Sequence, residues 1–123
     1  MMKSKNLFII SIIIIISAIL TLLLMNNLNS RNSENVQEII NACINLCLKA
    51  KEKGIDLSNG PCLSDNNPEW KYEDWVCDVA HWPRIAIDNL RENQCQEWLK
   101  AYEAGKIKKF VEVDPNCNFI RVG

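Results

Sequence analysis

Several patterns that commonly announce chemistry are missing from this sequence. It has no C-x-x-C, no G-x-S-x-G, no Asn-x-Ser/Thr acceptor and only one histidine. Without C-x-x-C there is no thioredoxin-type redox pair and no closely spaced zinc hook. Without the serine elbow there is no hydrolase nucleophile of that kind. Without the acceptor, ordinary N-glycosylation has nowhere to attach. Internal repeats and low-complexity segments are absent too, and the one basic cluster, Lys106, Lys108 and Lys109, is short. From Arg31 onward there are 12 basic and 15 acidic residues, a balance of −3. A nucleic-acid footprint needs concentrated positive charge, so no nucleic-acid partner is expected, and the lysines read as a solvated strand edge.

What the chain does have is one long apolar run and six cysteines. Residues 7–25 carry only Ser11, Ser17 and Thr21 as polar groups. Small hydroxyls bond back to helix carbonyls, and in lipid the backbone must satisfy itself, so the run is expected to be helical despite its isoleucines. At 1.5 Å per residue it spans about 28 Å, close to the roughly 30 Å hydrocarbon core of a bilayer. A cleaved signal peptide has a shorter apolar region and a small-x-small site. The residues that follow, Asn26-Asn27-Leu28-Asn29-Ser30-Arg31, offer none; no cysteine follows to take a lipid, and Ser4-Lys5-Asn6 fits a pilin-type processing site poorly. An uncleaved anchor partnered by the lipid bilayer is the expectation. Lys3 and Lys5 precede the run and only Arg31 follows closely, so the N-terminus should stay in the cytoplasm and the rest face out. The expected organisation is a cytoplasmic tail 1–6, a transmembrane helix 7–25, a polar spacer 26–32 and an extracytoplasmic domain 33–123.

Cys43, Cys47, Cys62, Cys77, Cys95 and Cys117 all follow the apolar run. An even set in a domain of about 90 residues outside the cytoplasm reads as a disulfide framework, which a core of that size needs. Six cysteines allow 15 pairings and spacing does not choose among them. Cys43 and Cys47 are four apart on an expected helix and share a face, so each should reach a neighbouring element rather than the other. Metal binding would want two close Cys/His pairs, and only one close pair exists; neither a metal nor a cofactor is expected.

Helical periodicity covers residues 34–53, with Ser33 as N-cap, an apolar stripe Val36, Ile39, Ile40, Cys43, Leu46, Cys47, Ala50, and Gly54 as the stop. A short strand is expected at 61–63, another strand within 72–80, a helical turn at 84–89 after Pro83, and a second helix at 92–104 ended by Gly105. Residues 108–113 and 117–122 read as a hairpin around Asp114-Pro115-Asn116. The expected fold class is α+β: two main helices packed on one face of a three- or four-stranded antiparallel sheet.

Chemistry-bearing residues crowd residues 70–84, which hold three of the four tryptophans and the single histidine. Asp78 and His81 are the candidate acid–base pair of a small hydrolase-like enzyme, with Arg84 as an anion contact. The structural alternative is that they cross-link a strand-to-helix junction, and the aromatics form core rather than a ligand groove. With no partner nucleophile evident, a surface-tethered binding or structural module is the first expectation and an enzyme the second. A thiol–disulfide carrier using Cys43 and Cys47 is the third.

At Gly60-Pro61-Cys62-Leu63, Trp75-Val76-Cys77-Asp78-Val79-Ala80-His81, Glu92-Asn93-Gln94-Cys95 and Phe110-Val111-Glu112-Val113-Asp114-Pro115-Asn116-Cys117, the chain resembles a group of uncharacterised archaeal secreted or membrane-anchored proteins. The resemblance would span residues 43–121. It implies a cell-surface location and the cysteine framework, and carries no catalytic residue.

Overall fold

The computed structural model describes the backbone of residues 2–123 and the side chains of residues 3–29 and 35–123. Its first element, helix α1, runs Met2–Glu52. Contacts divide the chain into two units, Met1–Val36 and Gln37–Gly123.

In the first unit, Lys3–Asn29 forms a stretch of 27 residues long and apolar enough to cross a membrane. Its apolar side chains are exposed on every side, from Leu7 through Met25. The hydroxyls of Ser17 and Thr21 donate to the carbonyls of Ile14 and Ser17, both at 2.8 Å. Two of the run's three hydroxyls are thus satisfied by the helix itself, the arrangement that suits an apolar surrounding. The backbone at 26–32 is helical rather than an irregular spacer. Its asparagines and serine lower helix propensity by only tenths of a kcal/mol each, too little to force a break. The helical backbone continues through 33, so no helix begins at 34 and the N-cap expected at Ser33 is not used.

The second unit begins with the last part of α1, whose Ile39, Ile40, Cys43, Leu46, Cys47 and Ala50 are buried, as the stripe predicts. The helix stops in a glycine-centred cap: Gly54 lies at φ +74, its N–H donates to Lys51 O, and Ile55 N–H donates to Ala50 O. The same cap ends α2 (Gln96–Glu103), where Gly105 lies at φ +68, its N–H donates to Tyr102 O and Lys106 N–H donates to Ala101 O. α2 begins later than its periodicity suggests. Two 3₁₀ turns, Ala86–Asn89 and Arg91–Asn93, precede it, and Gln94 and Cys95 are extended. Two extended residues let Cys95 reach its disulfide partner before the helix starts. Cys95 has no capping oxygen, and the Asp65 carboxylate, from a distant loop, accepts the Gln96 N–H instead.

Three strands, β1 (Trp75–Val79), β2 (Lys109–Val113) and β3 (Phe119–Val122), form one sheet in that order. β2 and β3 make the expected antiparallel hairpin, closed by Asp114, whose Oδ1 accepts the N–H groups of Asn116 and Asn118. β1 pairs with β2 in parallel, so the sheet is mixed and not antiparallel. Side-chain alternation is the same in either direction, and the long crossover through α2 is what permits parallel pairing. The strand expected at 61–63 is a single antiparallel bridge, Cys62 to Asp78. Helices also lie on both faces, not one. Cys77 and Val111 turn toward α1, where Cys43 is bonded to Cys77; Val76 and Phe110 turn the other way, where Phe110 meets Trp98 of α2 edge-on at 6.4 Å.

Three disulfides hold these layers: Cys43–Cys77, Cys47–Cys117 and Cys62–Cys95. Among the described residues no cysteine is free. Cys43 and Cys47 each reach a separate element, as their shared helix face implies.

Candidate functional site

The alternation of β1 decides what Asp78 can meet. Its neighbour Cys77 is tied to α1, so the Asp78 carboxyl must turn to the opposite face, under α2. Parallel register sets it beside Glu112 of β2, and antiparallel register sets Glu112 beside Arg121 of β3. An acid, an acid and an arginine thus form one row across the sheet. Arg84, from the loop after β1, reaches in from the side. Its Nη1 donates to Glu112 Oε1 at 2.5 Å, and Arg121 Nε donates to Glu112 Oε2 at 2.6 Å. Arg84 Nη2 also donates to the carbonyl of Asp88 at 3.1 Å.

Glu112 is buried and answered by two guanidinium groups, the geometry in which a buried carboxylate is tolerated. Asp78 is not so provided. It is 9 % exposed, and its Oδ1 lies 3.8 Å from the sulfur of Cys95, a weak partner. Burial, reinforced by the negative charge of Glu112 and only partly opposed by Arg84, pushes the Asp78 carboxyl up to about 8. It is therefore mainly the neutral acid at pH 7. The row opens into a cavity of about 130 Å³ lined also by Val76, Gln94, Trp98 and Phe110. Arg121 lies over the Phe110 ring at 5.1 Å, and Trp98 stacks on Tyr102 at 5.3 Å. The combination is a ring-sized apolar cleft with polar groups at one end.

His81 belongs to a different cluster. Its Nδ1 lies 2.8 Å from Asp88 Oδ1, and Asp88 Oδ2 accepts the backbone N–H groups of His81 at 3.1 Å and Ile85 at 2.9 Å. Burial alone would raise the Asp88 carboxyl. The donors from Ile85 and His81 outweigh it and hold the group below its ordinary value. An ionised carboxylate only accepts, so the His81 Nδ1 carries the proton. Asp88 thereby ties the loop after β1 to the first 3₁₀ turn, which is the cross-linking role that the sequence offers as the alternative to catalysis. Among the described residues no hydroxyl or thiol is hydrogen-bonded to His81, and its carboxylate partner is Asp88 rather than Asp78.

Of the three candidate residues, then, Asp78 and Arg84 meet around Glu112 and His81 does not join them. Glu112, Arg121, Asp88, Trp98 and Phe110 do not stand out in the sequence. One signal for Glu112 is nevertheless there: an acid between Val111 and Val113 in an otherwise apolar strand needs a cationic partner. The cysteines of the redox alternative, Cys43 and Cys47, are both 0 % exposed. Cys62, Asp78 and Cys95 place ligand-type atoms within 4.8 Å of one another, but the two sulfurs are bonded to each other and are not thiolates.

With this geometry in view, the chain was compared with known proteins: no family model, no curated protein and no solved structure matches it.

Proposed function

We propose that this is a single-pass membrane protein whose N-terminal helix is an uncleaved anchor, with the N-terminus in the cytoplasm and the cysteine domain presented outside as a binding or structural module. The observation that carries the reading is the pairing of all six cysteines, each between different elements of the second unit. Such bridges persist in an oxidising compartment. Lys3 and Lys5 ahead of the apolar helix support the same orientation. The suggested likeness to archaeal surface proteins would add placement and nothing about activity.

Binding is favoured over catalysis because the polar groups of the cleft are arranged around an apolar wall, while the only histidine is engaged elsewhere with Asp88. The hydrolase reading required Asp78 and His81 to share a substrate, and their partners differ. The redox reading required an accessible Cys43 or Cys47, and both are enclosed.

The test is thiol counting on the full chain in its native membrane. With a membrane-impermeant alkylating reagent applied from outside, we expect no labelling before reduction and up to six labels after reduction and unfolding. Three or more free thiols without reduction, or labels added only when the membrane is breached, would overturn the placement.

A further inference from the structure

The cleft between α2 and the sheet has a chemical polarity that narrows what it can bind. Its lining side chains include two cations, Arg84 and Arg121, and one committed anion, Glu112. With Asp78 neutral, the lining holds one surplus positive charge. Each nitrogen of Arg84 already has an acceptor, Nε on Asn89, Nη1 on Glu112 and Nη2 on the Asp88 carbonyl. Arg121 is not: only its Nε has an acceptor among the described residues, which leaves Nη1 and Nη2 over the Phe110 face. Asp78 is the second incomplete group. As a buried acid it has an O–H to donate; the Val79 backbone N–H donates to the carboxyl, and the Cys95 disulfide sulfur at 3.8 Å is a weak acceptor. Asp78 is buried, whereas Arg121 is about half exposed and keeps its free N–H groups open to an incoming ligand; the two lie one strand either side of Glu112 and line the same cavity.

We propose that this cleft binds a small monocarboxylate bearing one ring-sized apolar group, the carboxylate held by Arg121 and Asp78 and the apolar body laid against Trp98 and Phe110. A carboxylate is the acceptor that meets both groups: it takes the N–H pair of a guanidinium side by side and the O–H of a neutral acid. A cation would meet the arginines, and a neutral amide would bring its own unmatched donors. The volume, about 130 Å³, suits one ring, since cavities near 150 Å³ hold benzene. The carboxylate can belong to a free acid or to the C-terminus of a peptide; the chemistry at the cleft is shared. The groups facing Asp78 fix the pH behaviour: Glu112 from β2, Arg84 and Asp88 from the segment after β1, Arg121 from β3, and the non-titrating Cys62–Cys95 bridge. When Asp78 ionises, the donor becomes a second negative charge at the ligand's carboxylate, so affinity falls on the alkaline side.

The inference rests on the binding-module reading but is tested separately: thiol counting probes placement and ligand titration probes the cleft, so either can fail alone. The probe is 4-fluorophenylacetate, followed by ¹⁹F line broadening with the full chain in lipid nanodiscs and with empty nanodiscs as the blank. We expect broadening beyond the blank at pH 6.5, lost or weakened roughly tenfold for 4-fluorophenylacetamide, for 4-fluorophenethylamine, and for the acid on Arg121→Gln, the scale of one charge-assisted contact. Raising the pH to 9 should weaken the acid several-fold on the unaltered chain and not on Asp78→Asn. Gly-Gly-Phe and its C-terminal amide locate the source: tighter binding by the tripeptide assigns a peptide end, tighter binding by the free acid assigns a small metabolite, and either upholds the carboxylate. No broadening beyond the blank, an amide that binds as well as the acid, or affinity unchanged by Arg121→Gln or by pH would overturn the proposal. If Arg121→Gln fails to fold, the three probes and the pH series on the unaltered chain decide it.

Discussion

Gly60 packs where a side chain cannot. It lies at φ +68, and a Cβ there would stand 2.8 Å from the carbonyl oxygen of Val79 and 2.9 Å from Asp88 Oδ1. One contact is backbone and the other belongs to a carboxylate already fixed by three donors, so neither can retreat cheaply. Gly60→Ala therefore combines left-handed strain with a clash and should cost about 2 kcal/mol or more. The four tryptophans all lie in the cysteine domain, so their fluorescence melt reads this directly. A drop of roughly 10 °C is expected for a domain this size; an unchanged melting temperature would show that the loop shifts freely. The turn at Ser58-Asn59-Gly60-Pro61 is legible from composition, but its purpose is not. That Gly60 underlies the Asp88 junction depends on contacts across 28 residues, which no local pattern encodes. His81 illustrates the same limit: its carboxylate partner stands seven residues on, beyond a proline, in a 3₁₀ turn whose geometry has no periodic signature.

At the scale of elements, the helix ends are the most readable features, because Gly54 and Gly105 each supply a local conformation that other residues resist. The hairpin is readable for a similar reason, through Asp114-Pro115-Asn116. Strand direction is not, since Trp75 to Val79 would alternate identically in either sense. That one ambiguity hides the site, because it is the observed parallel register that brings Asp78 beside Glu112. The disulfides tie these elements together and permit a controlled comparison. Cys43–Cys77 and Cys62–Cys95 close loops of nearly equal span, 34 and 33 residues. In the chain-entropy account, removing either bond should thus release about the same unfolded-state entropy, about 3–4 kcal/mol. What differs is packing. Cys43 and Cys77 are both 0 % exposed, between α1 and the sheet, whereas Cys62 is half-buried at the edge. Cys43→Ala/Cys77→Ala should therefore be the more destabilising pair, by about 1–2 kcal/mol of lost contact and cavity. Fluorescence melts of the two double variants side by side would check this, and equal losses would mean that the sulfurs contribute no packing beyond the cross-link.

The charges of the whole molecule are nearly balanced, but two kinds of shifted acid pull its pH dependence in opposite directions. Asp88 and Asp114 have carboxyls held below their ordinary values. Burial opposes this in both, and donors win: Ile85 and His81 for Asp88, Asn118 and Asn116 for Asp114. Their contributions are present above the ordinary aspartate value and vanish as the pH falls through the lowered folded values. Asp78 does the reverse. Its carboxyl is raised from 3.8 to about 8, so the folded state holds a proton that the unfolded state has released throughout that window. Its contribution is complete below 3.8 and is lost as the pH rises toward 8, after which no further loss follows. Summed over the window, the change is on the order of 5 kcal/mol, since a tenfold change in acidity corresponds to about 1.4 kcal/mol. The domain should accordingly be most stable on the acid side, near pH 4 to 5, and should soften steadily to pH 8, unlike a protein whose buried acids are all ion-paired. Asp78→Asn keeps the shape and hydrogen-bonding capacity of the neutral acid without the titration. Melting the unaltered chain and this variant in nanodiscs at pH 5, 6.5 and 8 should give a falling series for the first and a nearly level one for the second. Parallel curves would mean that Asp78 is ionised in the folded domain at neutral pH, with Arg84 rather than burial governing it.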